Sequence, residues 1–215
     1  MNTTAPASPA SLYALLTSRR SIRRYRPDPV PADVVQRLVQ VAGAAPSAHN
    51  RQPWRYVVID DAAARAKLAQ AMGEKLAEDR TRDSDDAEAI RLDVERSFTR
   101  ISGAPVVILA CLTLGEMDAY PDAKRREAEF LMAVQSTAMA TQNLLLAAHA
   151  EGLGACWLCA PLFCPDTVRA ALTLPGDWQP QGLISLGFPQ QPGKARARKS
   201  LADILLVAET ERGGT

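Results

Sequence analysis

Apolar positions recur along the chain with two periods, one typical of helices and one typical of strands. Helical spacing is clearest after Pro31, in an apolar stripe that stops before Pro46 and consists of Val34, Val35, Leu38, Val41, Ala42 and Ala45. A continuous apolar run, residues 104–112 (APVVILACL), has the length of a buried strand. Because such segments alternate, the pattern predicts an α+β or α/β layered fold.

The same pattern gives the position of each element. Strands are predicted over 54–60, 104–112, 154–159 and 182–188. Helices are predicted around 12–16 and over 31–45, 62–77, 87–101, 124–150 and 165–172. Gly152 is expected to end the longest helix in a left-handed conformation. Residues 78–88 (EDRTRDSDDAE) are so highly charged that we expect a mobile loop there.

Residues 130–150 contain no Asp, Glu, Lys or Arg over 21 residues, which is about the length of a membrane span. However, Gln135, Gln142, Asn143 and His149 lie within this segment and would be costly in lipid. We therefore expect a helix that is buried in the core or at a subunit interface.

Composition narrows the class of protein. The chain has 215 residues, 47% of them hydrophobic, and a formal net charge of +1. These values fit one domain over 1–215, in which we expect residues 1–10 to be disordered. The near-neutral charge argues against a nucleic-acid-binding module, and the N-terminus lacks a secretion signal. We expect a soluble, cytoplasmic protein that does not bind membranes.

Four cysteines raise the question of a metal site, because three of them fall in CWLCAPLFC: Cys156, Cys159 and Cys164. A structural zinc site needs four ligands, and Cys111 lies on a separate predicted strand. We interpret all four as reduced packing residues and predict no metal site. His149 is interpreted as a core or interface residue, and His49 is not expected to transfer protons.

Positive charge is concentrated in residues 18–26, SRRSIRRYR, here called the arginine segment. It contains Arg19, Arg20, Arg23, Arg24 and Arg26. Like charges this close repel unless an anion neutralises them, and a phosphate would accept hydrogen bonds worth about 1.5–3 kcal/mol each. On an extended stretch, Arg19, Ser21 and Arg23 would share one face. The cluster therefore indicates a phosphorylated ligand, although the P-loop and dinucleotide-binding signatures are absent from the sequence.

Four separated segments resemble the nitroreductase family of FMN flavoenzymes, in that family's order, over roughly residues 11–206. These are SRRSIRRYRPDPVP, APSAHNRQPWRYVVI, LLLAAHAEGLGACW and KARARKSLADIL. The least typical stretch is 73–103. The resemblance implies a nitroreductase-like α+β fold with a central mixed β-sheet flanked by helices. It also implies a long buried central helix and an intertwined homodimer with FMN at the interface.

The resemblance further implies which residues bind FMN. Arg19, Arg196 and Arg198 would hold the phosphate. Ser21 would bond to the ribityl chain, and Arg23 would lie beside N1 and O2 of the ring. Arg20 belongs to the same motif, and Gly154 and Ala155 would approach the ring closely. The other predicted FMN-binding residues lie in one loop: Pro46, Ser47, Ala48, Asn50 and Gln52. Of these, Ser47, Ala48 and Asn50 would come from the other subunit.

The implied chemistry is hydride transfer through flavin N5, with NAD(P)H as the donor and a small conjugated molecule as the acceptor. Such transfer depends on alignment, and no catalytic side chain is predicted. Residues 119–157 and 168–189 are most similar to the FMN-binding C-terminal domain of the bifunctional enzyme of deazaflavin coenzyme (F-420) biosynthesis. That similarity implies a dehydro precursor of the deazaflavin as the acceptor.

Three alternatives remain open. The chain could be a broad NAD(P)H-dependent reductase of nitroaromatics or quinones, or a flavin-binding or storage protein without catalysis. An arginine patch that binds RNA is the third, and it predicts a colourless protein whose binding falls steeply with salt.

Overall fold

The computed structural model describes residues 8–207, in which helices and strands follow one another as predicted. The helices are α1 (Pro9–Ser18), α2 (Ala32–Ala42), α3 (Ala62–Arg82), α4 (Ala87–Ser102), α5 (Ala123–Ala150) and α6 (Pro165–Leu172). The strands are β1 (Trp54–Ile59), β2 (Val106–Leu112), β3 (Gly154–Leu158) and β4 (Gln179–Gly187). Residues 1–10 were predicted to be disordered. Residues 1–7 of this range lie outside the described residues, whereas Pro9 and Ala10 are helical, so the prediction is wrong for these two.

One sheet with the strand order β1-β2-β4-β3 forms the centre of the fold. All three strand pairs are antiparallel. The four strands therefore form an antiparallel sheet and not the mixed sheet that was expected; within residues 8–207 the parallel contact is an isolated bridge, in which Ser21 of the arginine segment pairs with Ala155 of β3. This bridge attaches the arginine segment to the β3 edge of the sheet.

Helices cover both faces of the sheet, so β2 is buried at every position. On one face, Ile108 packs in a cluster with Leu38 of α2 and Leu144 of α5. On the other face, Leu109 packs in a cluster with Leu68 of α3. Neighbouring residues of β2 thus point to opposite layers, as the twofold period of a strand requires. The helix–sheet–helix layering confirms the predicted fold class.

Helix α5 is the long central helix that the sequence predicts. The Asp122 side chain accepts a hydrogen bond from the Arg125 backbone N–H at 2.9 Å and caps its start. Gly152 follows its end with φ +74°, as expected. One face is buried in the core, whereas Leu131 and Met139 on the other face are 50% and 42% exposed. Between residues 8 and 207, no helix combines the length and apolar character that crossing a membrane requires.

The prediction of a mobile loop over 78–88 is wrong for most of that range. Helix α3 continues to Arg82, and α4 begins at Ala87. The charges that suggested a loop form ion pairs instead, with Arg80 2.6 Å from both Asp85 and Asp93. Opposite charges at helical spacing and across a helical hairpin stabilise the helices, so high charge alone does not predict a loop.

Candidate functional site

The arginine segment is held in an extended conformation between β3 and residues 188–190. The Ile22 N–H donates to the Ala155 carbonyl at 3.0 Å. Further along, the Gln190 N–H donates to the Arg24 carbonyl at 3.1 Å, and the Arg26 N–H donates to the Phe188 carbonyl at 2.9 Å. The extended conformation expected for Arg19, Ser21 and Arg23 is therefore present, and its backbone is fixed on both sides.

A cleft of about 500 Å³ lies along this segment and is called the arginine cleft below. Its lining residues come from the arginine segment and from 191–198: Arg19, Arg20, Ser21, Ile22, Arg23, Arg24, Gln191, Pro192, Gly193, Lys194, Arg196 and Arg198. Seven of these are cations, and none is an acid. The cleft therefore brings the predicted phosphate residues Arg19, Arg196 and Arg198 together with Ser21 and Arg23.

The cations of the arginine cleft differ from those elsewhere in the protein. Arg37, Arg80 and Arg91 each form two ion pairs with carboxylates. Within residues 8–207, no carboxylate lies within ion-pair distance of any cleft cation. The cleft is thus strongly positive, and an anionic ligand would offset the mutual repulsion of its walls.

Arg20 has a structural function that the sequence did not indicate. One of its terminal nitrogens donates to the Thr17 carbonyl at 2.6 Å and to the Arg19 carbonyl at 2.8 Å. A carbonyl in the last turn of α1 has no partner within the helix, so this guanidinium stabilises the helix end. Arg20 also lines the arginine cleft, but part of its hydrogen-bonding capacity is already used.

Two glycines allow the arginine segment to approach its neighbours closely. A Cβ at Gly154 would lie 2.7 Å from the Ile22 Cβ, and a Cβ at Gly193 would lie 2.3 Å from the Arg20 Cβ. Gly154 thus has a packing reason to be glycine in its contact with Ile22, besides the close approach to the flavin ring that the resemblance implies. The sequence analysis did not identify Gly193 as a residue of the site. The signal that could have found it is the Pro-Gly pair before the basic residues 194–199, which is typical of a turn.

Loop 46–52, which contains the other predicted FMN-binding residues, does not line the arginine cleft of its own chain. His49, Asn50 and Gln52 have φ of +49°, +55° and +49°. Non-glycine residues in this conformation cost about 1–3 kcal/mol each and are concentrated at functional sites. Ser47 supports the loop, because its Oγ accepts a hydrogen bond from the Gln52 N–H at 3.0 Å.

A second cavity of about 450 Å³ adjoins the arginine cleft and shares Arg19, Arg20 and Ile22 with it. His149 of α5 lines this cavity, and its Nε2 lies 2.8 Å from the Ser18 Oγ. His149 is therefore hydrogen-bonded and joins the end of α5 to the end of α1. His149 is partly exposed and is therefore not a core residue within one chain, and its interpretation as an interface residue stays a prediction.

Three of the four cysteines pack in the interior. Burial raises the pKa of Cys111 to about 12, and it also raises the pKa of Cys156 and of Cys164. Cys159 is exposed, and its Sγ accepts a hydrogen bond from the Trp157 indole at 2.9 Å. Across the described range 8–207, no group of three His, Cys, Asp or Glu side chains could hold a metal ion.

The layered fold places a cleft lined by seven cations beside the β3 edge of its sheet, an arrangement that suits a phosphorylated ligand. A family model described as the nitroreductase family matches residues 16–188. The chain therefore belongs to the nitroreductase family.

Relatives support this assignment. A 5,6-dimethylbenzimidazole synthase from Rhodospirillum rubrum is 30% identical, with 86% of this chain and 85% of that protein covered. An NADH dehydrogenase from Thermus thermophilus is 32% identical over 96% of this chain and 99% of its own length.

Solved structures agree with the fold. A Desulfovibrio desulfuricans protein crystallised in complex with FMN is 29% identical, with a TM-score of 0.70 and coverage of 95% and 99% of the two chains. A BluB-like flavoprotein from Clostridium difficile has a TM-score of 0.75 at 23% identity, covering 92% of this chain and 99% of that one.

Proposed function

We propose that this chain is an NAD(P)H-dependent reductase that binds FMN in the arginine cleft and reduces a small conjugated acceptor. The observation that carries the proposal is the set of seven cations that line one cleft without a carboxylate among them. FMN supplies a phosphate with about two negative charges, which this wall would neutralise. The chain's membership of the nitroreductase family is consistent with that ligand.

Each cleft residue has a role that its chemistry suits. Arg19, Arg196 and Arg198 would bind the phosphate through charge-assisted hydrogen bonds. Ser21 would hydrogen-bond to the ribityl chain. Arg23 would lie beside the N1–O2 edge of the ring, where its guanidinium would supply a positive charge.

When bound, FMN supplies hydride transfer at N5, and the protein's contribution is to position the ring and to set its potential. Arg23 favours the reduced form, because negative charge then accumulates next to a fixed cation. No acid or base from the chain is assigned to the transfer itself. Gly154 and Ala155 act by holding the arginine segment against β3.

The proposal includes an intertwined homodimer in which loop 46–52 of the second subunit completes the site. Three exposed apolar surfaces support it. Helix α1 has no buried residue, and its Leu12 and Leu16 are exposed. The outer face of α5 exposes Leu131 and Met139, and the tail residues Ile204 to Val207 are exposed. Surfaces of this kind mark protein–protein contacts.

Two acceptor classes follow from the sequence and from the relatives. The similarity of residues 119–157 and 168–189 to the deazaflavin enzyme domain supports a dehydro precursor of a deazaflavin. The relatives named NADH dehydrogenase, and NAD(P)H nitroreductase in one case, support reduction of nitroaromatics or quinones.

The test begins with the purified full chain. We expect a yellow protein whose released flavin is identified as FMN by chromatography. Steady-state oxidation of NADH and NADPH is then measured with a deazaflavin precursor, a nitroarene and a quinone as acceptors. Formation of 5,6-dimethylbenzimidazole is assayed in parallel, because one relative carries that name.

Each result has a defined meaning. Turnover of any of these acceptors supports the reductase, and the preferred acceptor decides between the two classes. Tight FMN binding with no oxidation of either nicotinamide would identify a storage protein instead. A colourless protein that ignores added FMN would overturn the proposal.

A further inference from the structure

Tyr25 lies in the arginine segment, two residues after Arg23, and its partly buried side chain reaches β4. The Oη is 2.6 Å from the Ile22 carbonyl oxygen and 2.8 Å from the Ser185 Oγ. Ser185 is 1% exposed and pairs with Cys156 across the sheet. The ring packs against the cluster that contains Leu109 and Leu183. Tyr25 therefore ties the arginine segment to the inside of the sheet.

The hydroxyl carries one proton, which decides the direction of these hydrogen bonds. The Tyr25 hydroxyl donates to the Ile22 carbonyl at 2.6 Å, with the Ser185 carbonyl as a second acceptor at 2.9 Å, and its oxygen can accept a hydrogen bond from the Ser185 hydroxyl. Desolvation by burial raises the pKa of Tyr25, so the phenol keeps its proton in neutral and moderately alkaline solution. The donor to Ile22 is therefore present whenever the protein is folded.

These contacts confine the backbone on either side of Arg23. The Ile22 N–H is bonded to Ala155, its carbonyl receives the Tyr25 hydroxyl, and the Arg24 carbonyl receives the Gln190 N–H. Arg23 itself is exposed and has a long side chain. The position of its guanidinium therefore depends on where the Arg23 backbone lies. The Tyr25 hydroxyl is one of the contacts that hold this backbone in place.

We infer that Tyr25, supported by Ser185, is a positioning residue that holds Arg23 where it favours the reduced flavin. The inference rests on the proposed function, because it needs FMN in the arginine cleft with N1 and O2 at Arg23. A cation that is allowed to move stabilises a localised negative charge less well than a fixed one. Loss of the Tyr25 hydroxyl should therefore weaken the binding of reduced FMN more than that of oxidised FMN.

The experiment compares the midpoint potential of bound FMN in the full chain and in Tyr25→Phe. Tyr56→Phe is the matched control, because this substitution also removes the hydroxyl of a partly buried tyrosine, and Tyr56 lies on β1 outside the arginine cleft. We expect a tenfold preferential loss of reduced-flavin affinity in Tyr25→Phe, which corresponds to a potential about 30 mV lower for a two-electron couple. We expect Tyr56→Phe to match the parent protein. If Tyr25 were purely structural, Tyr25→Phe would lower the thermal stability of the protein and leave the midpoint potential of bound FMN unchanged.

A double-mutant cycle tests whether the effect passes through Arg23. Arg23→Gln should lower the potential, and adding Tyr25→Phe to it should produce no further shift. The inference is overturned if Tyr25→Phe keeps the parent potential, or if it shifts the potential equally when Arg23 is absent.

Ser185→Ala keeps the experiment decisive if Tyr25→Phe does not fold, because this variant leaves the Tyr25–Ile22 hydrogen bond in place. It should shift the potential in the same direction by a smaller amount, and an unchanged potential would count against the inference. Failure of the proposed function looks different, since the parent protein would then bind no FMN at all.

Discussion

At the scale of single residues, the main contrast is between paired and unpaired cations. Arg80 is neutralised by two aspartates, whereas Arg19, Arg196 and Arg198 face one another across a cleft without an acid. A surface ion pair contributes little to stability, so the pairing of Arg80 says nothing about function. The unpaired set is informative because the repulsion within it is offset only when an anion enters.

Removing one phosphate contact should weaken FMN binding. A charge-assisted hydrogen bond contributes about 1.5–3 kcal/mol, so we expect Arg198→Gln to raise the dissociation constant of FMN by about tenfold or more, as measured by calorimetry. Arg96→Gln is the control, because Arg96 pairs with Asp93 on α4 away from the cleft. Equal FMN affinities in the two variants would show that Arg198 does not contribute to FMN binding.

The close packing at Gly193 gives a second prediction at this scale. A Cβ there would lie 2.3 Å from the Arg20 Cβ, so Gly193→Ala must displace one wall of the cleft. We expect a loss of about 1–3 kcal/mol of stability together with weaker FMN binding. At Gly176 an added Cβ meets nothing within 4 Å, so Gly176→Ala should leave both quantities unchanged. Urea unfolding and FMN titration of the two variants make the comparison.

The sequence predicted which arginines gather in the cleft, but not why Gly154 and Gly193 are glycines. Composition and spacing reveal the cluster at 18–26, because its charges lie in one short stretch, whereas Arg196 and Arg198 were assigned only through the resemblance to the nitroreductase family. The approach of Gly193 to Arg20 joins residues far apart in the chain, and no local pattern records it. The hydrogen bonds of Arg20 to the end of α1 were missed for a different reason, because Arg20 was assigned with its neighbours as a ligand residue.

At the scale of elements, loop 46–52 has the least favourable backbone in the described part of the chain. Its left-handed residues are held by the Ser47–Gln52 contact and by the Ala48 N–H, which lies 3.3 Å from the Ser136 Oγ of α5. Costly conformations of this kind are concentrated at functional sites, which is consistent with the role in FMN binding proposed for this loop. The sequence located this loop through its resemblance, but the sign of φ at His49 and Gln52 could not be predicted.

The backbone strain in this loop can be tested with matched substitutions. At His49, where φ is +49°, we expect glycine to be tolerated and His49→Val to be less stable than His49→Gly by about 1–2 kcal/mol. At Arg51, where φ is −73°, the order should reverse, with Arg51→Gly less stable than Arg51→Val. Urea unfolding midpoints of the four variants decide, and the same order at both positions would contradict the left-handed assignment.

Strand β3 and the turn after it predict a difference in thiol reactivity. Burial raises the pKa of Cys111, Cys156 and Cys164, so at pH 8 these thiols stay protonated and unreactive. Cys159 is exposed. We therefore expect iodoacetamide at pH 8 to label Cys159 alone in the folded protein, as read by peptide mass spectrometry. Rapid labelling of Cys156 would show that the β3 edge opens.

Element positions followed well from hydrophobic periodicity, with two informative differences. β4 begins at Gln179 rather than at 182, because its first residues pair with the end of β2 although they are polar. The charged residues 78–82 are helical because their neighbours at helical spacing carry the opposite charge. In both cases, pairing with another part of the structure outweighed the local composition.

At the scale of the whole molecule, the two groups of predicted FMN residues lie apart. Residues 19–23 and 194–198 line one cleft, and loop 46–52 lies outside it. The exposed apolar faces of α1 and α5 are where a second copy would bring them together. We expect light scattering to give twice the mass of the chain, and Met139→Glu, on the outer face of α5, to shift the protein towards monomer and to weaken FMN binding. Lys67→Glu, which also adds negative charge but at an exposed position of α3, is the control.

The central claim is that the arginine cleft binds FMN through its phosphate, and a comparison of FMN with riboflavin tests it most directly. Riboflavin has the same ring and ribityl chain without the phosphate, so the ratio of the two dissociation constants isolates the arginines. We predict that FMN binds at least a hundredfold more tightly at low salt and that the ratio shrinks as salt screens the cleft. Equal affinities for the two flavins, at any salt concentration, would contradict the claim.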